Sequence, residues 1–265
     1  MDIFKREQAP IASVAWNEID KRARQVLMGH LTARRILHVR GPLGWNYAAL
    51  PEGRLSILQE SPIAGVRCGV YQVQPLVETR VSFKLDRWEL DNILRGARAI
   101  DLSPLDEAAK NAALFEEQAV YNGFAAGGIV GLTAAATQKA LSFGKEGSEI
   151  MLNLSRALVQ MQEVHQRGPF SLILGKELWE RANTEVQGYP LMKRIKDMVG
   201  GTVVYSSVLE GGLMIPHRHE DLELVIGGDF SIGYEHHDSR IVQLFIAESF
   251  TLQVVDPSII LPLRA

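Results

Sequence analysis

A change of hydrophobic period inside residues 77–123 constrains this chain more than any other feature. The stretch opens VETRVSFKLD, continues RWELDNILRGARAID and ends LSPLDEAAKNAALFEEQAVYNG. In its first part Val77, Thr79, Val81, Phe83 and Leu85 point one way, and Glu78, Arg80, Ser82, Lys84 and Asp86 the other. That two-residue period belongs to a half-exposed strand. In its last part Leu105, Ala108, Ala112, Phe115 and Ala119 fall three and four apart and share one face of a helix. Ser103 is expected to cap that helix, with Pro104 at its first position, where a missing N–H costs nothing. Asp106 favours the positive helix start, and Asn122-Gly123 marks the stop. A long exposed ribbon feeding a long helix needs something outside its own domain to lie on.

The rest of the chain mixes helix and strand. Residues 1–12 read as an arm whose Ile3-Phe4 pair needs a surface. A first helix is expected over 15–34, with Trp16, Ile19, Ala23, Val26 and Leu27 as its apolar stripe, then a short strand through Ile36, Leu37 and Val39. Residues 50–85 read as one hairpin, with arms 54–60 and 66–85 joined through Ser61-Pro62 and Gly65. Such a hairpin is not stable alone. The small, glycine-rich AAGGIVGLTAAA reads as a loop bridging two subdomains. It follows a helix and lacks the lysine-serine/threonine pair of a phosphate loop. Residues 148–164 form an amphipathic helix and FSLIL a buried strand. A short helix over 177–183 and another starting at Pro190 follow. Strands are expected over 203–206, 213–215, 222–226 and 241–254, the last interrupted on its apolar face by Glu248. The apolar tail PSIILPLRA is expected to pack on the body or a neighbour.

Composition excludes some classes of function. The 265 residues are 46% hydrophobic, enough for a sizeable core. The net charge of −3 carries no basic stripe, so no nucleic-acid partner is expected. No apolar run reaches the ~18 residues of a membrane helix, and no membrane partner is expected. Cys68 is the only cysteine, which leaves no intrachain disulfide. MDIFKREQAPIASVAW lacks the apolar core of a signal peptide. The expectation is a soluble, cytoplasmic protein.

The chain is poor in catalytic patterns. His217 and His219 stand two apart, but no third metal ligand is specified by spacing, and His236-His237 read as a turn. No metal site is expected. No serine sits in a G-x-S-x-G elbow. Glu116-Glu117 are either catalytic carboxylates or, more simply, a solvated or ion-paired helix face. Trp88 with Arg80 offers an indole and a guanidinium for a flat anionic ligand. The alternative is that Trp88 staples the hairpin base to the long helix.

AWNEIDKRAR, GPLGWNYAAL, RVSFKLDRWELDN, GPFSLIL, GYPLMKR, GGDFSIGYEHHD and VQLFIAESFTLQVV, in this order across nearly the whole chain, resemble the family 1 encapsulins, a linocin/bacteriocin-like family. The resemblance implies an α+β tailed-phage major capsid protein fold. Residues 1–49, 86–131 and 222–254 would form a peripheral domain with a spine helix, 50–85 an extension hairpin loop, and 132–221 an axial domain. Residues 255–265 would be a tail on either body. The implied function is a non-enzymatic shell protein that self-assembles into an icosahedral nanocompartment of sixty copies or an allowed multiple. Its cargo enzyme, a dye-decolourising peroxidase or a ferritin-like iron oxidase, would dock through a C-terminal peptide. By motif position the docking groove would use Leu27, Leu31, Arg34, Ile36, Asp229, Phe230, Ile232 and Tyr234, with Asp229 facing a basic residue of the peptide. Asn183, Thr184, Glu185, Val186, Gln187, Gly188 and Tyr189 would form the pore loop. No cofactor is required, although some relatives hold a flavin near the position of Trp88, where Arg80 and Tyr189 would assist. The alternatives are a phage or prophage major capsid protein with DNA inside, and a free protease or bacteriocin-type enzyme.

Overall fold

The structure, a computed structural model, describes residues 3–184 and 190–265. After a 3-10 turn at Arg6–Gln8, the elements in chain order are α1 (Ser13–His30), α2 (Ala33–Ile36), β1 (His38–Arg40), β2 (Ala49–Ile57), β3 (Gly69–Pro75), β4 (Val77–Asp86), α3 (Arg87–Leu94) and α4 (Ser103–Asn122). They continue with α5 (Leu132–Ala135), β5 (Leu141–Ser142), α6 (Gly147–Glu163), β6 (Phe170–Leu174), α7 (Lys176–Ala182) and α8 (Leu191–Val199). The last part is strand: β7 (Gly200–Tyr205), β8 (Gly212–Pro216), β9 (Leu222–Ile226), β10 (Ser231–His237), β11 (Ile241–Val254) and β12 (Leu261–Arg264).

The first sheet is built around β11. Its order is β1-β9-β11-β10, and β4 also pairs with β11. Residues 241–250 of β11 run antiparallel to β4, residues 242–247 to β10 and residues 250–254 to β9. α4 lies over β4 and β11. Phe83 and Leu85 of β4, Leu244 and Ile246 of β11, and four alanines of α4 (Ala108, Ala109, Ala112, Ala113) share one core with the buried stripe of α1. Alanine keeps that helix close to its neighbours, and each large side chain buried there contributes about 1.5–3 kcal/mol.

The second sheet has the order β5-β12-β8-β6-β7. α6, α7 and α8 fill its core with Ile150, Leu154, Met161, Leu178 and Ile195. The apolar tail is a strand of this sheet: β12 runs antiparallel to β8 and parallel to β5. A further cluster, with Val120 and Tyr121 of α4, Leu132, Ile173, Leu213, Leu224, Phe250 and Ile260, joins the two sheets. The glycine-rich segment makes the join possible. A Cβ on Gly131 would fall 2.2 Å from the Gly123 nitrogen, so the end of α4 and the start of α5 meet backbone to backbone.

Several expectations are corrected. The hairpin's return arm does not run to Leu85. β2 and β3 form a separate two-stranded sheet that ends at Pro75, and β4 turns into the first sheet. The alternation of β4 reflects a sheet strand with one face under α4, not an exposed ribbon. The first helix stops at His30 rather than continuing to residue 34. The backbone N–H groups of Thr32 and Ala33 donate to the Glu117 carboxylate at 2.7 and 2.8 Å, and the Thr32 hydroxyl donates to it as well. A side chain of α4 thus satisfies donors that a new helix start leaves open. Ser103 is the first residue of α4 rather than its cap, and its hydroxyl donates to Asp101 at 2.6 Å. His236 and His237 close strand β10, after a register shift, instead of forming a turn.

Candidate docking groove

α1 and the paired strands β10 and β11 stand either side of a groove of about 600 Å³. Leu27 and Leu31 line one wall, and Phe230 and Ile232 the other, with Ile246 from β11. The arm closes part of the rim. Phe4 rests on Trp45 and Phe245, with ring centroids 5.1 and 5.9 Å apart. Arg6 stacks 3.9 Å over Trp16 and pairs with Asp20 at 2.7 Å.

A buried charge cluster holds the groove floor. Arg34 Nε donates to Glu116 at 2.9 and 3.0 Å, and Nη2 donates to Glu116 at 2.6 Å. Nη2 also reaches Glu248, and Nη1 reaches Asp229 at 2.7 Å on the rim. Glu116 and Glu248 are both fully buried. Burial works against the charged guanidinium, but Glu116, Glu248 and Asp229 outweigh it and hold its pKa above the ordinary value. Burial, with the charge of Glu116 adding, pushes Glu117 up to about 7, against the hydrogen bonds from Thr32 and Ala33. Burial also drives Glu248 well above the usual carboxyl range, reinforced by Glu116 and opposed by Arg34. Glu116 and Glu117 are therefore neither solvated nor open to a substrate. They clamp α2 onto α4.

Of the eight sequence-derived groove residues, Leu27, Leu31, Arg34, Asp229, Phe230 and Ile232 line this cavity. Ile36 does not; it is fully buried in the cluster joining the two sheets, because the break after α1 turns α2 inward. Tyr234 sits farther along β10, where its backbone N–H donates to the Phe4 carbonyl at 2.7 Å and its hydroxyl meets His237 Nδ1 at 2.6 Å. Asp229 already accepts from Arg34 and from the Phe230 backbone N–H at 2.8 Å. Arg24 and Met28 also line the groove and were missed. Their signal was present: 24, 27, 28 and 31 fall on one helical face.

Other sequence-derived sites lie elsewhere. Arg80 sits 4.1 Å over the Phe245 ring, and Trp88 is 70% exposed with Arg95 at 5.7 Å. Six residues of strand separate Arg80 from Asp86, at roughly 3.3 Å each, so one chain does not bring Arg80 to Trp88. Trp88 does not staple the hairpin base either. Asn183 and Thr184 close α7, donating to the carbonyls of Trp179 and Glu180 at 2.8 and 3.3 Å. Residues 185–189, including Tyr189, lie outside the described residues. His217 Nδ1 meets the buried Ser171 hydroxyl at 2.8 Å, and His219 lies 3.6 Å from Asp221. Among the described residues no helix is long and apolar enough to cross a membrane.

The fold is that of capsid proteins. A virus-like particle from Pyrococcus furiosus matches with a TM-score of 0.66 at 16% identity, over 94% of this chain and 98% of that one. The capsid of Myoviridae phage XM1 matches with a TM-score of 0.55 at 9% identity, over 88% and 90%. The family described as "Encapsulating protein for peroxidase" matches residues 1–251. A type 1 encapsulin shell protein of Rhodospirillum rubrum is 37% identical over all of this chain and 97% of its own length. The chain belongs to the encapsulin family. Membership makes it a structural, self-assembling shell protein of a nanocompartment.

Proposed function

We propose that sixty copies of this chain, or an allowed multiple, close into an icosahedral shell that holds a cargo enzyme by a C-terminal docking peptide. The observation that carries the docking half is the groove. It offers apolar walls (Leu27, Leu31, Phe230, Ile232) and a half-exposed carboxylate at Asp229. An extended peptide with aliphatic side chains and one cation fits that chemistry. The exposed β2–β3 hairpin supports the assembly half. Ile57, Val70, Tyr71 and Val73 are exposed there, and lying across a neighbour would bury them. Standard interfaces bury about 1,600 Å² each, and a closed cage repeats them until release requires breaking several at once. The family's description favours a peroxidase as cargo, with a ferritin-like iron oxidase second. Residues 183–189 would line the pore.

Phe230→Asp tests the groove. Shells should form normally, yet co-expressed cargo should be absent from them by gel analysis of purified particles. Unchanged loading would move the docking site elsewhere.

A further inference from the structure

We infer that Glu248 carries a proton toward Glu116 beneath the groove, and that this proton keeps Arg34 engaged with Asp229 at the rim. The part concerning docking rests on the groove reading above; the proton itself does not.

One carboxyl oxygen beneath the groove is orphaned. Glu248 Oε1 accepts from Arg34, but Oε2 is buried without a hydrogen-bond partner. An ionised oxygen in that position loses its water and gains no donor, a loss larger for a charged group than for a neutral one. As an O–H the carboxyl becomes a donor, and Glu116, which shares the Arg34 Nη2 donor with Glu248, is the neighbouring carboxylate. Charge counting gives the same answer. One guanidinium, Arg34, faces the three carboxyls of Glu116, Glu248 and Asp229. Like charges packed this closely do not all ionise together.

Among the described residues Arg34 is the one cation paired with Glu248, and the other charged groups nearby are engaged elsewhere. α4 contributes Glu116 and, one residue on, Glu117, which is occupied by Thr32 and Ala33. Tyr121, also on α4, is held by the Thr32 hydroxyl at 2.8 Å. α2 contributes Arg34, with Arg35 acting on Tyr121. β4 places Thr79 opposite Glu248, while Glu78 and Arg80 face the other way and pair at 3.5 Å. β9, pairing farther along β11, contributes Glu223, which is held by Arg40 at 3.2 Å.

The sign follows from the direction of the shift. Glu248 titrates higher in the folded chain than in the unfolded one, so its stabilisation is complete in acid and is lost as pH rises through the folded value. Once the proton leaves, the buried pair gains a full negative charge. Arg34 is then drawn inward, and Asp229 loses the partner that fixes it at the rim.

Infrared difference spectra of assembled shells test the proton directly. In a Glu117→Gln background, a protonated-carboxyl C=O band should be present near neutral pH, disappear as the pH is raised, and be missing once Glu248→Gln is added. That background removes the neighbouring carboxyl, which burial raises to about 7. The docking arm uses a fluorescent peptide carrying two leucines and one lysine. Its affinity should rise about tenfold as the pH is raised in the parent shell, roughly 1.4 kcal/mol, because Asp229 freed from Arg34 and the new charge beneath it both attract the cation, and stay level in Glu248→Gln, whose amide can donate to Glu116 without titrating. Absence of the band in Glu117→Gln, or its persistence in the Glu117→Gln/Glu248→Gln double variant, overturns the assignment. A pH-independent affinity with the band present overturns the coupling to Asp229. Failure of the peptide to bind at any pH, with the band present, sinks the docking reading and leaves the proton in place. Should Glu248→Gln fail to assemble, Glu116→Gln reads the same group: without the Glu116 charge, the band should vanish at lower pH, and an unmoved band would contradict the pairing.

Discussion

Strand β4 and the β2–β3 hairpin are neighbours in the sequence, separated by Leu76, and they meet opposite fates. β4 turns Phe83 and Leu85 under α4 and pairs with β11 along its whole length. The hairpin is exposed on nearly every residue beyond Leu50, its apolar ones included. Both carry hydrophobic side chains at strand spacing. What differs is cover: the chain supplies a helix for one and nothing for the other. An isolated two-stranded ribbon is marginal in water, and in the proposed shell another copy would cover the hairpin. On the proposed reading, β4 serves folding and the hairpin assembly.

Three variants would break or sharpen that contrast. The largest effect is expected from Ile57→Asp combined with Tyr71→Asp. Both side chains are exposed in the single chain, at 55% and 74%, so folding should survive while shell formation is abolished. Circular dichroism with size-exclusion chromatography reads both halves, and intact shells would show that the hairpin is not an interface. Next comes Phe83→Ala, made in that same non-assembling background. It should cost about 3–5 kcal/mol of chain stability, measured by urea unfolding; a cost below about 1 kcal/mol would mean α4 does not cover β4 as described. The smallest effect concerns the carboxyl that clamps α2 to α4. Glu117 is raised to about 7 when folded, so its contribution to parent stability should decline from acid pH until about pH 7 and then level off. Glu117→Gln should flatten that decline. An identical pH profile in the variant would remove the burial argument for this group.

Much of this division was legible in the sequence. The alternation of 77–86, the helix over 103–122 and the strand over 241–254 all lie where the periodicity put them. The hairpin's extent was not. Its return arm and β4 read as one run because alternation reports a strand without reporting what lies on it, and Pro75 at the junction was the overlooked mark. Helix α1 was read too long for a different reason. Leu31 and Thr32 continue its pattern acceptably, and the break is imposed by Glu117, 85 residues away. The buried charges followed the same rule. Glu248 was visible as an interruption of an apolar face, but the Arg34 that answers it lies 214 residues earlier. Local spacing carries elements; partners across the fold require the fold.

We propose that this chain closes a shell whose tiles are held by their hairpins. Electron microscopy of the purified protein, across a range of concentrations, tests it most directly. The account predicts uniform closed particles of sixty copies or an allowed multiple. A preparation containing only single compact chains of 29.4 kDa would contradict it.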